Sequence, residues 1–243
     1  MSDKVVIGIV PDFFRHSINF SSIKDHFGIA CNYVENLEKC GAIVVILPYQ
    51  YSCIEDYINL IDGIIIAGGG FIDPSRYGKP DAKVKVNKER DCFEFTILQK
   101  VIEKTTMPIL GICNGMQAIN IIYGGDLKHN IPDHEQKYYE NFTDYTIPFH
   151  DIDIVKDSKL HKIVGISTAK TNSSHGLAVD NLGKNIKISA TALKDCIIEA
   201  IEHETHPFCL GLQWHPEFHS SEIDSKIFQN FVSHCQTYKN NKC

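Results

Sequence analysis

Apolar residues in the first half of the chain gather into short unbroken runs, separated by stretches with helical spacing. VVIGIV (Val5–Val10) is continuous, the pattern of a strand covered on both faces. From about Ser22 to Lys39 the apolar positions recur near a helical period, and Gly41 supplies a stop. AIVVILP (Ala42–Pro48) predicts a second buried strand, and DGIIIAGGG (Asp62–Gly70) a third that runs into a glycine turn. A helix over about Lys88–Glu103 and a fourth strand in MPILGI (Met107–Ile112) follow. Strands alternating with helices predict a parallel sheet built from right-handed crossovers.

The second half has a different rhythm. DIDIV (Asp151–Val155), NIKISATA (Asn185–Ala192), CIIEAIE (Cys196–Glu202) and FCLGLQW (Phe208–Trp214) are strand-like and close together, as in hairpins or a meander attached to the sheet. A terminal helix is predicted over about Glu222–His234, with KNNKC frayed beyond it. No repeat, low-complexity tract or Pro/Ser-rich linker interrupts the chain, so one domain over 1–243 is expected.

Composition changes this picture little. With 43% hydrophobic and 22% charged residues in 243, an ordinary core can form. The net charge of −6 argues against a nucleic-acid partner, and the densest basic run, KVKVNKER (Lys83–Arg90), reads as a solvated lead-in to a helix. The first residues lack the basic flank and cleavage site of a secretory signal, and no apolar run approaches the roughly 20 residues of a membrane span, so cytoplasmic residence without a membrane partner is expected. The nine cysteines include no CxxC pair, consistent with reduced thiols. Cys31, Cys40, Cys53, Cys92, Cys196, Cys209 and Cys235 are expected to act as small apolar side chains.

Cys113 is different. In PILGICNGMQAIN (Pro108–Asn120) a strand ends at Ile112, and Gly111-Ile-Cys113-Asn-Gly115 leads straight into a helix. This is a G-x-nucleophile-x-G elbow with cysteine as the nucleophile. Side chains at the flanking positions would strike neighbouring backbone, and glycine removes the collision. A helix starting near Asn114 aims free N–H groups and its positive end at the sulfur, which favours thiolate over thiol.

LGLQWHPEF (Leu210–Phe218) ends a strand with His215, Pro216 and Glu217. Residues two apart in an extended segment share a side, so Glu217 can orient one imidazole nitrogen while the other faces a nucleophile. His215 and His219 also make an H-x3-H spacing, but Pro216 and the preceding strand argue against a helix there, so no metal site is expected. The turn AGGGFIDPSRYG (Ala67–Gly78) can present backbone N–H groups to an oxyanion; it lacks the GK[ST] of a phosphate loop.

The stretches IIIAGGGFIDPSRYG, ERDCFEFTIL, PILGICNGMQAINIIYGGDL, NSSHGLAV, IIEAIE and LGLQWHPEF occur in an order that resembles the class I glutamine amidotransferase superfamily. The resemblance is closest to its γ-glutamyl-γ-aminobutyrate hydrolase-like branch, peptidase C26. It implies an α/β fold, a flavodoxin-like αβα sandwich with a mainly parallel central sheet and extra C-terminal strands. It also implies a Cys113–His215–Glu217 triad acting on a small-molecule γ-glutamyl substrate through a thioester. Backbone N–H groups of Gly69 or Gly70 and of Asn114 would hold the oxyanion. Gln117, Ser173, Ser174 and His175 are candidate substrate contacts, while Arg90, Asp91 and Glu94 read as structural charges. No cofactor is implied, and assembly into a homo-oligomer is left open.

Three positions depart from the family pattern. Phe71 stands where aspartate is common, Asn114 where arginine is, and Gly176-Leu177 where His-Gln is. The last pair looks more like glutaminase domains. Two other readings are therefore weighed: a glutaminase subunit feeding ammonia to a separate synthetase, and a non-catalytic sensor of γ-glutamyl ligands.

Overall fold

The computed structural model describes residues 3–19, 22–134 and 144–242. A nine-stranded sheet runs through the molecule. In chain order its strands are β1 (Val6–Val10), β4 (Ile43–Ile46), β5 (Gly63–Ile66), β6 (Ile109–Ile112), β8 (His150–Ile154), β9 (Thr168–Thr171), β11 (Ile186–Ala192), β12 (Ile198–His203) and β13 (Cys209–Leu212). Across the sheet they lie β4-β1-β5-β6-β13-β12-β11-β8-β9. The first five pair in parallel; β12, β11, β8 and β9 are added antiparallel beyond β13.

Helices cover both faces. On one side pack α2 (Ile54–Leu60), α3 (Lys88–Lys104) and α4 (Asn114–Ile122), through Ile58, Phe93, Leu98, Met116 and Ile119. On the other pack α1 (Cys31–Lys39), α5 (Lys159–Val164) and α6 (Asp224–Asn241), through Leu37, Leu160, Ile227, Phe228 and Phe231. The period of two along β5 sorts its side chains: Ile64 and Ile66 enter the first layer and Ile65 the second. The αβα sandwich expected from the sequence is thus the fold of this chain.

Several elements differ from expectation, each for a physical reason. The helix predicted from Ser22 begins only at Cys31, because residues before it form an antiparallel hairpin, β2 (Asp12–Asn19) with β3 (Ser22–Gly28). That hairpin is held by long-range contacts, with the Phe27 ring 5.4 Å from Phe13 and 4.7 Å from Tyr49. The strand in AIVVILP is not buried on both faces: β4 is an edge, and Ile43 and Ile46 are exposed. The terminal tail is not frayed through Asn241. α6 continues to it, and Lys242 Nζ donates to the carbonyls of Asn59 and Ile61 at 2.8 Å; Cys243 lies outside the described residues. Of the cysteines assigned to apolar roles, Cys209 and Cys235 are buried, whereas Cys31, Cys92 and Cys196 are exposed. The short strands β7 (Leu127–His129) and β10 (Leu177–Val179), which pair with each other, carry no sequence pattern long enough to read.

The KVKVNKER run divides. Lys83 and Lys85 are exposed, Asn87 caps α3 by accepting from the Arg90 N–H at 3.3 Å, and Arg90 turns inward. Among the described residues no helix is long and apolar enough to cross a membrane.

Backbone packs tightly on backbone where β6 and α4 cross under β5. A Cβ on Gly115 would stand 2.0 Å from the Ile66 carbonyl oxygen, a backbone atom that cannot swing away. Gly115→Ala is expected to lower stability by about 1–3 kcal/mol, as overpacking does. Thermal or denaturant unfolding checks this, and an unchanged midpoint would contradict it.

Candidate active site

β5, β6 and β13 are adjacent parallel strands in register, with Ile66 beside Gly111 and Leu212 beside Ile112. All three therefore end on one edge of the sheet. Beyond Ile66 comes the glycine turn, beyond Ile112 comes Cys113, and beyond Leu212 come His215 and Glu217.

Cys113 occupies φ 53° and ψ −103°, a conformation costly for a residue with a side chain. The elbow holds it there. A Cβ on Gly111 would meet the Gly115 carbonyl oxygen at 2.5 Å, so both flanking glycines are required by backbone contact, as the sequence predicts. The Cys113 N–H donates to the Leu212 carbonyl at 2.7 Å, which ties the elbow to β13. Its Sγ lies 3.8 Å from the Ser174 carbonyl oxygen. α4 starts at Asn114, where the first-turn N–H groups have no partner within the helix.

His215 Nδ1 is 2.7 Å from Glu217 Oε1. Glu217 is 2% exposed and its backbone carbonyl accepts from Asn36 Nδ2 at 3.0 Å. Asn172 fixes the other half of the pair: its Oδ1 accepts from the His215 N–H at 2.8 Å and its Nδ2 donates to the His215 carbonyl at 2.9 Å. Burial opposes a charged imidazole, but the Glu217 carboxylate and Cys113 overcome it, through charge and hydrogen bonding, and hold the His215 pKa well above its ordinary value. The structure thus brings Cys113, His215 and Glu217 together.

The glycine turn is held by its carbonyls. Arg90 donates to the Gly68 oxygen at 2.9 Å and to the Ala67 oxygen, and its Nε pairs with Glu94 at 3.0 Å. Asn114 Nδ2 donates to the Gly70 oxygen at 2.5 Å. Tyr33 Oη accepts from the Gly68 N–H at 3.1 Å; burial first and then the Glu217 charge push its own pKa well up. With the carbonyls bound, the backbone of Gly69 and Gly70 borders the cleft that also contains Cys113 and Asn114. Asp91 pairs with Arg76 at 2.6 Å and accepts from the Asp73 N–H at 3.0 Å, fixing the far end of the turn.

That cleft, of about 130 Å³, is also lined by Phe71, Gln117, Ser174, His175, Gly176 and Leu177. Three of the four candidate contacts therefore border it. Ser173 is the correction: it is fully buried, and its hydroxyl donates to the His134 carbonyl at 2.7 Å, away from the cleft. All three departures from the family pattern lie on this same wall. On the other side of the imidazole a wider cleft of about 460 Å³ is lined by Phe14, Tyr33, Tyr145 and Phe218 together with His215 and Glu217.

Sequence reasoning missed Tyr33, Asn36 and Asn172, which hold the site from the α1 layer and from the loop after β9. Nothing local marks Tyr33 or Asn36, and Asn172 stands in the NSSHGLAV stretch with no role read from it. Arg90 and Glu94 read in the sequence as paired structural charges; their grip on the glycine turn is visible only in three dimensions.

Two outcomes follow from this geometry. A Cβ on Gly68 would stand 2.6 Å from His215 Cε1, so Gly68→Ala should displace the imidazole. The expected readout is a fall in turnover of about tenfold or more with little change in unfolding midpoint, since misplacement by about 1 Å costs about a hundredfold in known cases. Glu217→Gln removes the largest influence that raises the His215 pKa, so the ring's NMR titration midpoint should move down. A midpoint that stays in place would contradict the assignment.

The Peptidase C26 family model matches residues 5–217. The glutamine amidotransferase-like protein RP404 of Rickettsia prowazekii is 34% identical, the alignment covering 96% of this chain and 98% of that one. The γ-glutamyl-γ-aminobutyrate hydrolase PuuD of Escherichia coli is 26% identical, covering 84% of this chain and 85% of its own. The crystal structure of a GMP synthase-type protein from Thermoplasma acidophilum matches the fold with a TM-score of 0.68 at 18% identity, over 98% of both chains. This chain belongs to the peptidase C26 family, amidohydrolases of the γ-glutamyl hydrolase and glutamine amidotransferase type.

Proposed function

We propose that this protein hydrolyses the γ-amide bond of a γ-glutamyl amine through a γ-glutamyl thioester on Cys113. The observation that carries the proposal is a cysteine on a strained elbow facing an imidazole whose far nitrogen is 2.7 Å from a buried carboxylate.

In the first half-reaction the sulfur of Cys113 adds to the γ-carbonyl carbon while His215 holds the thiol proton. Glu217 stabilises the imidazolium that results. The oxyanion faces the backbone N–H groups of Asn114 and of Gly69 or Gly70, each donor contributing about 3 kcal/mol by analogy with known oxyanion holes. As the tetrahedral adduct collapses, His215 gives its proton to the departing nitrogen, and the free amine leaves. Water then attacks the thioester with His215 as base, releasing glutamate and restoring the thiol.

Because His215 must protonate the leaving nitrogen, the amine departs on the imidazole face. The wider cleft lies there, lined by four aromatic rings. That volume suits an amine with a carbon chain better than ammonia. The relative named γ-glutamyl-γ-aminobutyrate hydrolase supports the same class of substrate. The glutaminase reading keeps one observation in its favour: Gly176 and Leu177, the pair that departs toward glutaminase domains, line the cleft beside Cys113.

A panel of γ-glutamyl amides, with glutamine as one member, separates the readings. The expected outcome is turnover of at least one γ-glutamyl amine by the protein alone, abolished in Cys113→Ala. Cleavage of glutamine only, stimulated by an added synthetase, would replace the hydrolase reading with the amidotransferase one. Absence of turnover together with absence of a covalent adduct from a glutamine-site affinity label would overturn both.

A further inference from the structure

Behind the wall of the Cys113 cleft, which it reaches through His175, lies a cluster whose other members take no part in the proposed reaction. Glu199, near the start of β12, is fully buried, and three imidazoles converge on its Oε1. His134 Nε2 is 2.8 Å away, His150 Nε2 3.5 Å and His175 Nε2 3.7 Å. These residues come from four separate segments: the loop after β7, the start of β8, the loop after β9, and β12. One ligand atom from each of His134, His150 and Glu199 falls within 4.8 Å of the others.

The outer hydrogen bonds fix which ring nitrogens carry protons. His175 Nδ1 is 2.9 Å from the Leu177 carbonyl, which only accepts, so Nδ1 is the N–H. In the neutral ring Nε2 then points a lone pair at the carboxylate, and it has no hydrogen-bond partner although the side chain is only 2% exposed. His134 Nδ1 is 2.7 Å from Asp195 Oδ2, so it too donates outward and turns Nε2 toward Glu199. His150 Nε2 has Thr171 Oγ1 at 3.3 Å as well as the carboxylate; its Nδ1 and the second oxygen of Glu199 are unpartnered. Lone pairs and a carboxylate oxygen facing one another in a buried space require positive charge between them. Two carboxylates, Asp195 and Glu199, are balanced either by two extra protons on the rings or by one divalent cation.

We infer that His134, His150 and Glu199 form a binding site for one divalent transition metal ion of the zinc class. Imidazole nitrogen with one carboxylate oxygen is a donor set suited to zinc, cobalt or nickel rather than to magnesium or calcium. Atoms bound to a tetrahedral zinc at about 2.0–2.1 Å lie roughly 3.3 Å apart, close to the three distances to Glu199 Oε1. The outward N–H bonds, one to a carboxylate and one to a backbone carbonyl, are the second shell that orients metal-bound histidines. Three protein donors leave one position, open to a water or to the unpartnered Nε2 of His175, and the buried setting of Glu199 gives the ion a structural role. It joins the antiparallel end of the sheet to the segment that carries Ser174 and His175, and so stiffens one wall of the Cys113 cleft. No single stretch of sequence shows a metal-ligand spacing, because each donor comes from a different segment.

The test uses the full chain, stripped with a chelator and titrated with cobalt(II). The expected result is one cobalt per chain, with the intense visible bands of a tetrahedral site, no sulfur-to-cobalt charge transfer, and displacement by zinc. Cys113→Ala should bind equally, which separates this site from the cysteine. Glu199→Gln and His150→Ala should each weaken binding by about tenfold or more, circular dichroism confirming that they fold. Because Glu199→Gln can fail to fold, His150→Ala and the wild-type spectrum each stand as independent readouts. Absence of saturable cobalt binding, thiolate bands in the spectrum, or undiminished affinity in a folded His150→Ala would overturn the inference.

Discussion

The site depends on one backbone reversal. The chain leaving β6 must turn into α4 within a single residue, and that residue, Cys113, is held at positive φ. Such a conformation costs on the order of 1–3 kcal/mol and persists only where the surroundings leave no alternative. Here they leave none. The residues on either side press backbone against backbone, and the Cys113 N–H is spent on the Leu212 carbonyl of the next strand. The hydrogen bond that stabilises the strained turn also fixes β13 alongside it. The position of the sulfur and that of the imidazole are thus set by one ladder.

From that ladder the rest of the arrangement follows. Three neighbouring parallel strands finish on the same edge, so three loops of unrelated sequence meet there. Crevices at the carboxyl ends of parallel strands are where open α/β sheets bind ligands. One loop brings the sulfur, one the base with its carboxylate, and one a run of glycines thin enough to pass beside the imidazole. The glycine run has no rigidity of its own. Arg90, Asn114 and Tyr33 supply it by taking up its carbonyls and one of its N–H groups, which leaves backbone facing the cleft.

The parts of this design that were legible in the sequence share a property: their cause is local. Continuous apolar runs mark β1, β5, β6 and β13 because burial on both faces leaves no polar position. The elbow and the His-Pro-Glu turn are read because glycine and proline restrict backbone in ways that neighbours cannot disguise. What was hidden has causes far along the chain. Ile23 and Phe27 are spaced as on a helix, yet Phe27 packs on Phe13 and Tyr49 in a hairpin, and no window of residues 22 to 39 contains those partners. Asn172 clamps His215 from 43 residues away, and Asn36 reaches Glu217 from 181. Ser173 and Ser174 look alike in sequence; the direction of the backbone alone buries one and presents the other.

Chemistry and selectivity are separable in this architecture. The reacting groups are held by backbone hydrogen bonds and steric necessity, so little freedom remains to vary them. The cleft wall is different: Phe71, Gly176 and Leu177 contribute side chains, or none, to a surface whose backbone is already fixed. Changing them alters what can enter without disturbing the elbow. Asn114 belongs to both groups, since its backbone N–H lies beside the sulfur while its side chain holds Gly70. An arginine there would carry charge into the cleft and would lack the amide geometry that now pins the turn. Asn114 and Phe71 line the same cleft, so its wall there carries a neutral amide and a phenyl ring.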